Sequence, residues 1–291
     1  MAKVSSKNTS TLLQKLTATA KVSAGTLLMC VMPSRRKHMQ RVATIPWHDK
    51  QQPDAIDRLI RTAILWWRSR DASGNQLAAL HQQFWREQSS DAYYAGTHGR
   101  FDKVFMPHFD QYLDRLALVA SERGAECLIE IGCGEGQLLR HLQQRVPVSR
   151  HIGIDLSEDQ IAQNILQRSN DGPEYFAGDA SLWIKENAPA NSLYVTGLGV
   201  LEYFTQAQLS DLLQGISSQR SPACALFIEP VDPEADFDDF DASYPAGEEH
   251  SFTHNYAKRL QQCGWTLEHS EEVNLSTYRW LVMLASCEAP L

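Results

Sequence analysis

The stretch Leu128-Ile129-Glu130-Ile131-Gly132-Cys133-Gly134-Glu135-Gly136-Gln137-Leu138-Leu139 constrains this chain more than any other. It reads as a buried strand, a turn of alternate glycines, and the first turn of a helix. Alternate glycines let the backbone bend tightly and approach a ligand that a Cβ would hold off. The helix that follows offers unpaired N–H groups and the positive end of its dipole. Such a turn holds a nucleotide-like molecule. A dinucleotide fingerprint needs a third small residue at G-x-G-x-x-G/A, and Gln137 stands in that place. Glu130 lies two residues before the first glycine, where a carboxylate repels a pyrophosphate and suits an ammonium group.

Length allows one large domain with an appendage, or two small ones: the chain has 291 residues. Charge is lopsided. Residues 1–50 hold nine Lys/Arg against Asp49 alone, which is +8 in a chain of net −8, so the remainder stands at −16. An acidic body argues against nucleic acid as a partner, because phosphate backbones need a basic surface. The six cysteines form no C-x-x-C pair and no zinc spacing, which points to a reducing, cytoplasmic setting without disulfides. No apolar run is long enough to span a bilayer.

Three organisational blocks follow from the pattern: a basic N-terminal segment (1–50), a helical cap (51–121) and a ligand-binding domain (122–291). In the first, Leu12, Leu13, Leu16, Ala20, Ala24 and Leu27 share one helical face. A flexible basic tail, an amphipathic helix on an anionic membrane and an organelle transit peptide all remain open for it. In the second, helical spacing predicts helices near 54–70, 76–90 and 102–121, with an aromatic, glycine-punctuated loop at Tyr93–Phe101. From residue 126 onward strands and helices alternate, the signature of a parallel sheet with crossover helices. Strands are expected near 126–131, 151–155, 174–177, 192–196, 224–229, 266–269 and 279–286. A helix is expected over Phe252–Cys263, and Ser157 with Gln160 has the form of a capping box.

In open parallel sheets, ligands bind beyond the carboxyl ends of the strands. Asp155 ends the second strand, 21 residues after Gly134, where an acid can accept both ribose hydroxyls. That spacing also occurs in NAD enzymes, so it supports a nucleoside without naming it.

Glu130-x-Gly132-x-Gly134-x-Gly136 resembles the E/D-x-G-x-G-x-G motif of class I S-adenosylmethionine (SAM)-dependent methyltransferases. The resemblance spans roughly residues 90–290 and is strongest over 128–203. It implies an α/β fold: a seven-stranded, mostly parallel, doubly wound sheet whose last strand inserts antiparallel, behind an N-terminal helical cap. SAM is the implied cofactor, held by Glu130, Gly132, Cys133, Gly134 and Gly136, with Asp155 and Leu156 at the ribose. Asp179 and Ala180 fall at the adenine, and Gly197 and Leu198 along the methionine arm. Each acid alone is equally well read as a helix N-cap.

On the acceptor side the residues are less specific. Tyr203 falls near the sulfonium or the acceptor, or simply packs the next helix. Ser251-Phe252-Thr253-His254-Asn255-Tyr256 resembles a run found in some bacterial members, which makes His254 a candidate general base against a structural helix-capping role. Tyr94, Arg100 and Phe101 are candidates for the cap over the cofactor. Glu229 and Tyr256 complete the expected substrate residues. The acids from Asp232 to Glu249 read as a solvated loop or as a lid selecting a cationic acceptor, and their scatter gives no metal site. Methyl transfer to O or N of a small-molecule or glycan-like acceptor is the expected activity. A lipid or quinone acceptor at a membrane surface, a SAM-binding protein without transfer, and an NAD oxidoreductase are the alternatives.

Overall fold

Hydrophobic spacing changes from helical to strand-like once along the chain, and the architecture follows it. The computed structural model describes residues 6–43, 53–87, 99, 101–219, 221–275 and 278–288, with side chains from residue 17 onward. Two compact units result, Met1–Phe84 and Trp85–Leu291. The division falls well before residue 121, so the third helix of the expected cap belongs with the sheet.

The first unit contains helices α1 (Ser6–Val31), α2 (Pro33–Val42) and α3 (Ala55–Arg68), and nearly all of α4 (Asn75–Arg86). Asp54 caps α3 by accepting from the N–H groups of Ile56 and Asp57, both at 2.9 Å. Gly25 lets α1 cross α3 at backbone contact: a Cβ there would lie 2.0 Å from the Leu59 carbonyl oxygen. Among the described residues, no helix is long and apolar enough to cross a membrane.

The second unit is a doubly wound sheet. A π-helical turn (Phe101–Phe105) leads into α5 (Met106–Arg123), which Gly124 ends in the left-handed conformation. Then β1 (Cys127–Ile131), α6 (Gln137–Gln143), β2 (Arg150–Asp155), α7 (Glu158–Gln167), β3 (Glu174–Ala177), α8 (Ala180–Asn187) and β4 (Ser192–Thr196) alternate. A 3₁₀ turn (Leu201–Tyr203), α9 (Gln206–Ser217), β5 (Ala223–Val231), a hairpin of β6 (Tyr244–Ala246) and β7 (Ser251–Thr253), α10 (Tyr256–Gln262), β8 (Thr266–Leu275) and β9 (Tyr278–Cys287) complete it. The sheet order is β3-β2-β1-β4-β5-β9-β8, with β9 antiparallel to both its neighbours.

Central strands are buried along almost their whole length because helices cover both faces. Alternation along β1 sends Leu128 to the face packed by α5 and α6, and Cys127, Ile129 and Ile131 to the face packed by α8, α9 and α10. Strand order reverses between β1 and β4, which opens a crevice at their carboxyl ends.

Two local expectations need correction. The residues 251–253 pair with Tyr244–Ala246 as a strand, so the helix begins only at Tyr256. The Ser157 hydroxyl does accept from the Gln160 N–H at 3.2 Å, but the Gln160 side chain turns to Asn164 instead of back to the cap. The complete capping box belongs to Thr205 and Gln208 at the start of α9.

Candidate functional site

The glycine turn closes on itself through main-chain bonds. Gly132 and Cys133 N–H groups both donate to the Ile154 carbonyl, at 2.8 and 3.0 Å, and Gly136 N–H donates to the Cys133 carbonyl at 2.7 Å. Gly132, Gly134 and Gly136 all have positive φ, where a side chain is strained. Space forbids side chains as well at two of them. A Cβ on Gly132 would lie 2.7 Å from Val200 Cγ1, and one on Gly136 would lie 2.6 Å from the Tyr175 hydroxyl. Gln137, which breaks the dinucleotide fingerprint, donates from its side chain to Glu135 at 2.9 Å.

Asp155 sits at the end of β2 and holds this turn in shape. Its Oδ2 accepts from Gly134 N–H and its Oδ1 from Ser157 N–H, each at 2.9 Å. Burial raises its pKa, and those N–H donors, with that of Leu156, oppose the rise. Asn164 on α7 adds a second tie, donating to the Gly134 carbonyl at 2.7 Å, and Gln160 donates to Asn164 at 3.1 Å. Asn164 and Tyr175 belong to no motif. The available signal for the first was two amide side chains four apart on one face of α7.

Glu130 is the anomaly of this half. It is 3% exposed, and its Oε2 has no hydrogen-bond partner. Burial, then the nearby Asp155 carboxylate, push its pKa well above the usual range. A buried acceptor without a donor is costly. A cationic donor delivered to this end of β1 would relieve that cost.

After β3, Asp179 caps α8, accepting from Ser181 and Leu182 N–H groups at 2.9 and 3.2 Å. Both bonds fall on Oδ1. Ala180 begins that helix and is buried.

Across the crevice, Gly197 is closed in by Leu138, 2.6 Å from where its Cβ would lie. Leu198 is held at φ 65°, an uncommon conformation for a leucine, and its side chain is exposed. Glu229, fully buried at the end of β5, imposes this turn. It accepts from Thr196 Oγ1 at 2.5 Å and from the N–H groups of Val200 and Leu201 at 2.9 Å each. Burial still carries its pKa up to about 7.

Next to it, burial and the neighbouring Glu249 carboxylate push Glu202 well above the carboxylate range, while Ser251 faces it with its hydroxyl. Tyr203 donates to Glu249 at 2.9 Å and packs against Trp85, ring centres 5.4 Å apart. Tyr256 is 1% exposed and its hydroxyl has no partner. His254 is fully buried with both ring nitrogens engaged. Its Nε2–H donates to the Leu201 carbonyl at 3.1 Å, and its Nδ1 accepts from Ser243 Oγ at 2.6 Å. Burial lowers its pKa to about 4. Both ring nitrogens are thus engaged within the fold, the arrangement of a structural residue.

The acidic segment after β5 is tied down rather than free. Asn255 donates to the Phe237 and Phe240 carbonyls at 2.7 and 3.1 Å, and Arg279 to the Ala235 carbonyl at 2.7 Å. Gln206 accepts from Ser243 N–H at 2.8 Å, and Lys258 pairs with Asp241. Among the described residues, no group of three His, Cys, Asp or Glu has the geometry of a metal site. Tyr94 and Arg100 lie outside the described residues; Phe101 is buried and stacked on Phe105 at 5.5 Å.

Residues 128–222, from β1 to the start of β5, match the family model of a methyltransferase domain. Strand order and the antiparallel β9 give the sheet the fold of the class I SAM-dependent methyltransferases. Solved structures of this fold include a SAM-dependent methyltransferase from Leishmania major, with a TM-score of 0.51 at 14% identity over 72% of this chain and 82% of that one. Magnesium protoporphyrin IX methyltransferase from Synechocystis PCC 6803, solved with bound SAM, gives a TM-score of 0.43 at 16% identity over 61% of this chain and 79% of that one. The [4+2]-cyclase SpnF gives 0.45 at 16% identity over 61% and 81%. The Leishmania major likeness, at 14% identity, is one of fold alone. No curated protein matches the chain. In a sheet of this order the crevice between β1 and β4 is the place for a ligand.

Proposed function

We propose that the chain binds SAM in the β1–β4 crevice and transfers its methyl group to O or N of a small-molecule acceptor. The observation that carries this is the buried, unpartnered Oε2 of Glu130 beneath three glycines with positive φ. SAM brings an α-ammonium, a ribose and an adenine, and supplies an electrophilic methyl on sulfur. Glu130 and the Gly132–Gly136 turn would take the amino-acid end, with Cys133 shaping the turn from its buried position. Asp155 and Leu156 would take the ribose, and Asp179 and Ala180 the adenine. Gly197 and Leu198 would line the methionine arm.

Catalysis then consists chiefly of in-line positioning in a water-poor site. Glu229 fixes the turn that carries Leu198 and Tyr203, and His254 fixes the same turn from below through the Leu201 carbonyl. We therefore assign His254 and Glu229 as positioning residues, and Tyr203 and Tyr256 as the side chains nearest the acceptor. Tyr94 and Arg100, with Phe101, stay in the proposal as cap residues over the cofactor. Membrane contact through residues 1–50 is a separate proposal, supported by the +8 charge of that segment.

Calorimetric titration with SAM, its demethylated product S-adenosylhomocysteine (SAH) and NAD tests the reading. Binding of SAM and SAH without NAD is the expected result. NAD binding without SAM would overturn it.

A further inference from the structure

Helix α1 has apolar residues on two faces, and the fold uses one of them. Val22 and Gly25 are buried on the side that meets α3, and Met29 is half-buried there. The opposite face holds Ala20, Ala24, Leu27 and Val31 at i, i+4, i+7 and i+11, a single stripe at helical spacing. All four are exposed, Leu27 at 66% and Val31 at 64%. In the sequence, Leu13 and Leu16 continue the same spacing toward the N-terminus. Such a stripe is apolar surface that a further partner would bury with gain.

Beside the stripe, an open groove of about 450 Å³ lies between α1 and α3, walled chiefly by carbon from Val22, Leu27, Cys30, Trp66 and Trp67. Trp67 is 51% exposed although its indole N–H donates to Thr26 Oγ1 at 3.1 Å, so the ring turns mainly carbon outward. The guanidinium of Arg70, itself exposed, lies 3.7 Å from the centre of the Trp66 ring. Lys21 on α1, and Arg36 and Lys37 on α2, are exposed as well. Residues 1–84 hold thirteen Lys/Arg against four acids, which is +9, while the rest of the chain stands at −17. That charge decides among occupants. A second copy of the same face would set +9 against +9. An apolar stripe with indole rings and flanking cations has the composition of a segment that lies in an anionic lipid interface.

Resting on the contact of residues 1–50 proposed above, and extending it to α3, we infer that the face formed by Leu27, Val31, Trp66 and Trp67 docks on an anionic lipid bilayer. The apolar side chains enter the boundary between headgroups and acyl chains, and Lys21, Arg36, Lys37 and Arg70 meet the lipid phosphates. Among the described residues, no helix is long and apolar enough to cross a membrane, so this is a contact made at the surface. Its electrostatic part is screened by salt, which makes the docking reversible.

The test sediments the full-length protein with vesicles of phosphatidylcholine alone, and of phosphatidylcholine mixed equally with phosphatidylglycerol. Partition onto the mixed vesicles should be stronger by about tenfold or more, and raised salt should release the protein. Leu27→Glu and Val31→Glu, both at exposed positions, should each lower that partition by about tenfold. Bromine-labelled acyl chains should quench the wild-type fluorescence, and quench the Trp66→Phe/Trp67→Phe double variant much less. Thermal unfolding followed by circular dichroism checks that each variant keeps its fold; where Leu27→Glu lowers the midpoint, Leu27→Ser takes its place. Equal partition onto the two kinds of vesicle would overturn the inference. So would undiminished binding of Leu27→Glu and Val31→Glu beside loss of binding in Arg36→Glu/Lys37→Glu, a result that leaves the basic contact of residues 1–50 standing. Binding of the wild-type protein to neither vesicle would overturn both. A dimer in sedimentation velocity that Leu27→Glu dissociates would give the face to a second copy instead.

Discussion

The two sides of the crevice are held together by different means. On the β1–β3 side, the acids that end β2 and begin the helix after β3 accept from main-chain N–H groups: Asp155 from Gly134, 21 positions back, and from Ser157, Asp179 from Ser181 and Leu182. On the β4–β5 side, Glu229 gathers donors some 30 residues away in sequence, and His254 reaches a carbonyl 53 positions back. The first arrangement is local, the second is built by the sheet. The first presents glycine backbone to a ligand of fixed shape. The second presents side chains, which on the proposed reading face the acceptor.

Breaking the cofactor side should have the largest effect. Gly132→Ala combines a left-handed backbone with a methyl 2.7 Å from Val200 Cγ1. It should cost about 4 kcal/mol, split between folding and SAH binding. Urea unfolding with and without SAH measures both.

The acceptor side can be probed through two opposed titrations. His254 has a folded pKa of about 4 against 6.5, so the unfolded chain binds the extra proton between those values. Its contribution to stability is present above pH 6.5 and is lost as pH falls through 4. Glu229 runs the other way, with a folded pKa of about 7 against 4.5. Its contribution is present below pH 4.5 and is lost as pH rises through 7. Stability relative to His254→Asn should therefore fall by about 3 kcal/mol from pH 6.5 to 4, and relative to Glu229→Gln by about 3 kcal/mol from pH 4.5 to 7. Chemical unfolding across that range checks the signs. Parallel curves would show that neither group titrates with folding.

Asp155→Asn sharpens the comparison at intermediate size. One of the two accepting oxygens becomes an NH₂ facing an N–H, which should cost about 2 kcal/mol and loosen SAH binding. Unchanged SAH affinity would mean that the ribose lies elsewhere. The smallest effect belongs to the far end of the sheet, where Arg150 pairs with Glu174 through two bonds, at 2.8 and 2.9 Å, in an exposed setting. Arg150→Ala should cost about 0.5 kcal/mol and leave SAH affinity untouched.

This division also governs how much could be read from the sequence. The glycine turn and Asp155 lie within one βαβ unit, and local spacing carries them; the antiparallel last strand came from the resemblance alone. Glu229 was legible as a strand-end acid but not as the clamp of the 198–201 turn, since nothing in the spacing of residues 196 and 229 announces their contact. His254 was legible as a candidate base or as a structural residue, and only packing brings Ser243 and Leu201 to its two nitrogens. The β6–β7 hairpin was missed because three residues of strand, Ser251–Thr253, abut a helix cap and carry too little alternation to show.

The sheet's long open edge has a consequence for the protein in a crowded solution. β8 is ten residues long and pairs on one side only, with β9. An unpaired strand of that length is a template on which another chain could add itself. Here the template is spoiled: a bulge shifts the register between Leu267 and His269, and Glu268, Ser270, Glu271, Glu272 and Asn274 are exposed along it. The strand that completes the fold is thereby also a poor template on which to extend it.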